Sequence, residues 1–157
     1  MIRDCLARLI KSAGISCVKE KNHLVENSAE RPGDIYIHSW YNMNPLCIDV
    51  AVVNPLSRSH VDLAAREENK VLDNKVKEKR SKYKEQLAAI NTQMIPFVMD
   101  VFGNMQEEAK KFIDTISQIA ATKDSTHMKV KQFDFLQDLQ IALGRAVAQQ
   151  IDSRMPY

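Results

Sequence analysis

The sequence predicts an α/β domain, and three observations carry that prediction. Helical and strand-like periodicities alternate along the chain. The most apolar segment, Leu46–Val53, is a short β-rich run bounded by Asn54-Pro55, which suits a central strand buried on both faces. No linker divides the 157 residues, a length that suits one domain with one core.

The elements follow in order. Residues 2–13 place Ile2, Leu6, Leu9, Ile10 and Ala13 on one helical face, and Gly14 follows as a stop. Ile15–Lys19 is a short strand candidate. The polar stretch Lys21–Arg31 is a loop. Asp34–Ser39 reads as a second strand with Ile35 and Ile37 on one face, and Tyr41–Pro45 as a turn. After the third strand, Leu46–Val53, a densely charged helical pattern runs from about Val61 to Ile90. Thr92–Val101 holds a fourth strand, in which Pro96 points to an edge position or an irregular start. Two helices close the chain, at about 105–122 and 129–153. The predicted order is helix, three strands, helix, strand, then two helices, with a core over about residues 2–102 and a helical extension over about 105–154.

Composition excludes several classes. Hydrophobic residues make up 45% and charged residues 27% of the chain, which is globular rather than disordered usage. No apolar run is long enough to span a bilayer, so no membrane partner is expected. Asp4, Arg3 and Arg8 interrupt the first apolar segment, which makes it an amphipathic helix and not a signal peptide. The expected location is therefore inside the cell, in nucleus or cytoplasm. Cys5, Cys17 and Cys47 are widely spaced and odd in number, so they read as buried thiols. A net charge of +2 is too balanced to argue for nucleic acid. The basic residues nevertheless crowd into Lys70–Lys84, where a solvated helix face is the ordinary explanation.

Chemistry enters with Asp49, the one charged residue in the most apolar strand. A buried carboxylate must be paired, hydrogen-bonded, protonated or metal-bound. Asp34 opens the preceding strand, where Pro-Gly-Asp is also good turn chemistry. Two adjacent strands that each carry an Asp can bring both carboxylates to one end of a sheet. Such a pair repels unless a cation lies between, and oxygen ligands suit Mg²⁺ or Mn²⁺. Lys79 is the third member. Leu72, Val76, Lys79, Tyr83, Leu87 and Ile90 form one helical stripe, and Lys79 is its only charged residue. An ammonium on that stripe either snorkels to solvent or reaches an acid.

The segments Arg31-Pro32-Gly33-Asp34, Ile48-Asp49-Val50-Ala51-Val52 and Lys79-Arg80-Ser81-Lys82-Tyr83 resemble the PD-(D/E)XK nuclease superfamily. The nearest variety is the restriction-like endonuclease domain of site-specific non-LTR retrotransposons. The resemblance implies a restriction-endonuclease-like αβββαβ core, a small mixed sheet flanked by helices, with two added C-terminal helices. It implies a metal-dependent DNA endonuclease that hydrolyses phosphodiester bonds and belongs to, or derives from, a mobile element. Asp34, Asp49 and the Val50 carbonyl would hold Mg²⁺ or Mn²⁺, with Glu20 as a further ligand. Lys79 would act on the attacking water and the phosphate. Lys82, Arg80, Tyr83 and Trp40 would contact nucleic acid. Cutting both strands needs two such sites, which makes a homodimer a candidate assembly.

Two departures stand out. Ala51 occupies the position where the common motif has lysine, and Gly33 separates Pro32 from Asp34. Ala51, with the chain's short length, motivates an alternative: a catalytically inactive nucleic-acid-binding or assembly module on the same fold. His23, His38, His60 and His127 are scattered and form no ligand motif. Asp100 reads as a turn acid, and Arg145 as a partner for an acid or a phosphate.

Overall fold

The computed structural model describes residues 1–20, 33–67 and 69–153. The chain forms an α/β structure, with a small mixed four-stranded sheet and five helices among those residues. In order they are α1 (Ile2–Ser12), β1 (Cys17–Lys19), β2 (Ile35–Ile37), β3 (Leu46–Val53), α2 (Val61–Arg66), α3 (Lys70–Ala89), β4 (Gln93–Asp100), α4 (Glu107–Asp124) and α5 (Met128–Asp152). A short 3₁₀ turn at Tyr41–Met43 joins β2 to β3. No helix among the described residues is long and apolar enough to cross a membrane.

The strands lie in sequence order, β1-β2-β3-β4. β1 and β2 pair antiparallel, as do β2 and β3, whereas β3 and β4 pair parallel. The parallel step needs a crossover, which α2 and α3 supply. β3 is interior, as its apolar run requires. β4 is an edge, and Pro96 fits there for a definable reason. The Gln93 N–H donates to the Pro45 carbonyl on the β3 side, so alternate residues from Gln93 face β3 and Pro96 faces the open edge. Its missing N–H therefore removes no ladder bond. The rest of that edge is covered by the turn that follows, with Gln106 N–H donating to Val98 and Asp100 N–H to Asn104.

Alternation along β3 divides its side chains between two layers. Leu46, Ile48 and Val50 face α1, α4 and α5, while Cys47, Asp49, Ala51 and Val53 face α3. The first layer is one continuous apolar core. Leu6 and Ile10 of α1, Ile48, Phe97, Phe112 and Ile116 of α4, and Leu139 of α5 are all buried in it. The two helices of the C-terminal extension are thus built into the main core.

The charged helical pattern at 61–90 is corrected, because it is two helices. α2 ends at Arg66, and α3 starts after Asn69, whose φ of 62° is left-handed. Asn accepts that conformation better than most residues, and the chain turns there without Gly or Pro.

Candidate acidic site between β3 and α3

β2 is shorter than β3, and the site lies where β2 begins. The Asp34 N–H donates to the Ile48 carbonyl at 2.8 Å, which continues the ladder by one step. The Asp34 side chain then replaces the missing strand, with Oδ2 accepting from the Val50 N–H at 2.7 Å. A strand residue directs its N–H and C=O to the same edge, so the Val50 carbonyl lies on the Asp34 side as well.

Gly33 makes this turn. Its φ is +116°, a region open to glycine alone, and an added Cβ would collide with Cys47 Sγ and lie 3.2 Å from the Ile48 carbonyl oxygen. The residue that interrupts Pro32 and Asp34 is therefore required by the close approach of this backbone to β3. Arg31, Pro32 and His23 lie outside the described residues.

Asp49 is 5% exposed and Lys79 reaches it from the stripe of α3, with Nζ 2.8 Å from Oδ2. The ammonium approaches off the angle of a hydrogen bond, and Oδ2 is shielded from water with no hydrogen bond of its own. The contact is an ion pair in which the ammonium counters the buried carboxylate.

The two carboxylates lie in each other's field. Burial pushes the Asp34 carboxyl above its ordinary value, and the Asp49 charge pushes the same way. The hydrogen bond from Val50, then Lys79 and Arg3, oppose that shift. The Cys47 thiol, buried two residues before Asp49, is pushed up to about 12 by desolvation first and then by Asp49 and Asp34. It is a protonated packing thiol, and Cys5 and Cys17 are buried and free as well.

Arg3 belongs to this neighbourhood, and sequence reasoning missed it because it looked like one charge on an amphipathic helix. It pairs with Glu20, and its charge acts on Asp34. The Glu20 N–H donates to the Asp34 carbonyl at 2.9 Å. Glu20 is therefore beside Asp34, with its carboxylate engaged by Arg3.

The proposed nucleic-acid residues are not brought together. Lys82 Nζ lies 4.8 Å from the centroid of the Tyr83 ring, and Arg80 pairs with Glu108 of α4. Tyr83 is buried with Tyr36, Cys47 and Leu87, so its ring has no open face for stacking on a base. Trp40 packs against Phe112 with ring centroids 5.4 Å apart, in the layer across the sheet from α3. Tyr83 and Trp40 are packing residues here, since an aromatic ring gains more from a core than from solvent.

Other acids and bases have local roles. Asp100 accepts from the N–H groups of Phe102 and Asn104 and from Asn104 Nδ2, a turn acid as expected. His127 caps α5, His60 meets Ser57 and His38 stands edge-on to Tyr36.

Among the described residues, no three His, Cys, Asp or Glu side chains converge as a metal-binding group. Asp34, Asp49 and the Val50 carbonyl offer two carboxylates and one carbonyl. That donor set suits Mg²⁺, which keeps several waters and binds through one or two carboxylates. No protein-family model matches the chain, and a search of curated proteins gives no match.

Proposed function

We propose that the chain is a metal-dependent DNA endonuclease of the PD-(D/E)XK kind, with Asp34, Asp49 and Lys79 as its working residues. One observation carries the reading: Lys79 lies 2.8 Å from a carboxylate that is 5% exposed, Asp49, whose charge acts on a second carboxylate, Asp34. The order of elements is compatible with it: a helix, three strands, a crossover of two helices and a strand, where the resemblance implies a single crossover helix.

Asp34, Asp49 and the Val50 carbonyl would hold Mg²⁺ or Mn²⁺, which when bound acidifies water and neutralises phosphate charge. Lys79 Nζ carries three donors and is held at the carboxylates by Coulomb attraction. With DNA present it donates to a non-bridging phosphate oxygen and orients the attacking water. The water oxygen gives up a proton to solvent and forms the new P–O bond as a bridging P–O bond breaks, and the departing oxygen takes up a proton from solvent. Val50 N–H fixes Asp34, so the carboxylate does not reorganise as charge develops.

The same ion pair gives a specific reason for a second reading, an inactive nucleic-acid-binding or assembly module on this fold. Lys79 already counters Asp49, and Ala51 leaves the usual lysine position empty of charge.

Supercoiled and linear duplex DNA incubated with the protein in Mg²⁺ or Mn²⁺ separates the two. The endonuclease reading expects strand breaks that vanish in EDTA and in folded Asp49→Asn and Lys79→Met. DNA binding without breaks in either metal, unchanged by Asp49→Asn, would establish the binding module instead.

A further inference from the structure

α5 carries two apolar faces, and among the described residues one of them is packed against the core. Phe135, Leu139, Ala142 and Leu143 are buried against the core. On the opposite side Val130, Phe133, Ile141 and Ile151 are 53%, 65%, 48% and 58% exposed. With Gln137, Gly144 and Ala148, also exposed, they form one stripe along the helix, each step being three or four residues. A surface helix needs one such stripe, and a second asks for a partner.

We infer that this stripe pairs with the same stripe of a second copy, the two α5 helices running antiparallel about a two-fold axis. The pattern of sizes selects that occupant. Reversal about the midpoint between Gln140 and Ile141 sets Phe133 against Ala148, Gln137 against Gly144 and Val130 against Ile151. Phe133 against Ala148 and Gln137 against Gly144 set large beside small, while Ile141 lies beside its own copy at the axis, a self-complementary arrangement. Among the described residues a Cβ added to Gly144 would meet nothing within 4 Å, so no close approach within the monomer requires this glycine. In the middle of a helix it is unfavourable, and close approach of another helix is a use for it.

Charge agrees with size. Asp134 and Arg145 are exposed on the same flank of the stripe, on either side of its midpoint. Reversal brings Arg145 of each copy toward Asp134 of the other. A parallel arrangement would instead set Phe133 beside Phe133 and leave Asp134 and Arg145 eleven positions apart along the seam. Gln137 adds one polar position to the seam, a device that fixes register at some loss of stability. The assembly goes beyond the nuclease reading and does not depend on it.

Sedimentation equilibrium of the 157-residue chain over a wide concentration range tests the pairing. The wild type is expected to shift from monomer to dimer as concentration rises. Gly144→Leu and Phe133→Glu should each weaken dimerisation at least tenfold, with thermal unfolding of the monomer unchanged or raised for Gly144→Leu. Asp134→Arg and Arg145→Asp should each weaken it, and the double variant should restore it. A chain that stays monomeric at every concentration overturns the inference, because the stripe then serves some other occupant. A dimer that survives both Gly144→Leu and Phe133→Glu overturns it equally.

Discussion

On the face of the sheet that receives α1, α4 and α5, apolar side chains run without interruption from Leu6 and Ile10 to Phe112 and Leu139. On the face that receives α3 they do not. Val53, Val71, Leu72, Val76 and Val98 form one small cluster, and Tyr36, Cys47, Tyr83 and Leu87 form another. Asp49 and Lys79 stand between them. The chain gives up a continuous second core in order to hold a carboxylate and an ammonium away from water. Apolar residues of similar volume would hold the same helix at least as well. The first face therefore carries the stability of the fold, and the second carries charge positioned at a stability cost.

The largest expected effect breaks the second face. Lys79→Met leaves Asp49 buried without a counter-charge and should cost about 3 kcal/mol or more in denaturant unfolding. Asp49→Leu combined with Lys79→Met should return stability to the wild-type level or above. A double variant as unstable as Lys79→Met would mean that the pair holds α3 in place rather than interrupting its packing.

Truncations sharpen the contrast. Leu139→Ala, in the continuous core, should cost about 3–4 kcal/mol, and Leu87→Ala, in the small cluster, nearer 2 kcal/mol. Equal losses in urea titrations would argue that the two faces are equally well filled. Gly33→Ala should cost about 2 kcal/mol because of its φ and its approach to Cys47. It should also lower metal-dependent activity, since Asp34 moves with it. A Gly33→Ala protein of wild-type stability would refute the backbone argument.

The smallest effect is the most informative about Asp34. Its carboxyl is raised above the ordinary value by burial, so the fold favours the protonated form. Its contribution to stability is thus present below the ordinary carboxylate pKa and lost as pH rises through the raised one. Asp34→Asn keeps an acceptor for the Val50 N–H and removes the charge. It should unfold at a higher temperature than wild type near neutral pH, and that gap should close as pH falls through the raised pKa. A gap that widens on acidification would reverse the sign of the argument.

Much of this was legible in the sequence, for physical reasons. β3 was visible because a strand covered on both faces is apolar throughout, and Asp49 was visible as its exception. Lys79 was visible because helical periodicity marks the inward stripe without reference to other elements, and its acidic partner is where the stripe required one. Contacts that depend on tertiary approach were not legible. The charge of Arg3 acts on Asp34 from another element, which no local pattern records, and Trp40 and Tyr83 look alike in sequence whether they face a base or a core. The break at Asn69 was hidden because charged residues on both sides continue the helical pattern.

Calorimetric titration of Mn²⁺ into wild type and Asp34→Asn tests the central claim most directly. The account expects wild type to bind with release of protons, increasingly so as pH falls toward the raised pKa of Asp34. The more thermally stable Asp34→Asn should not bind. Equal binding by both proteins, or none by either even with DNA present, would contradict it: the carboxylates would then be partners of Lys79 and nothing more.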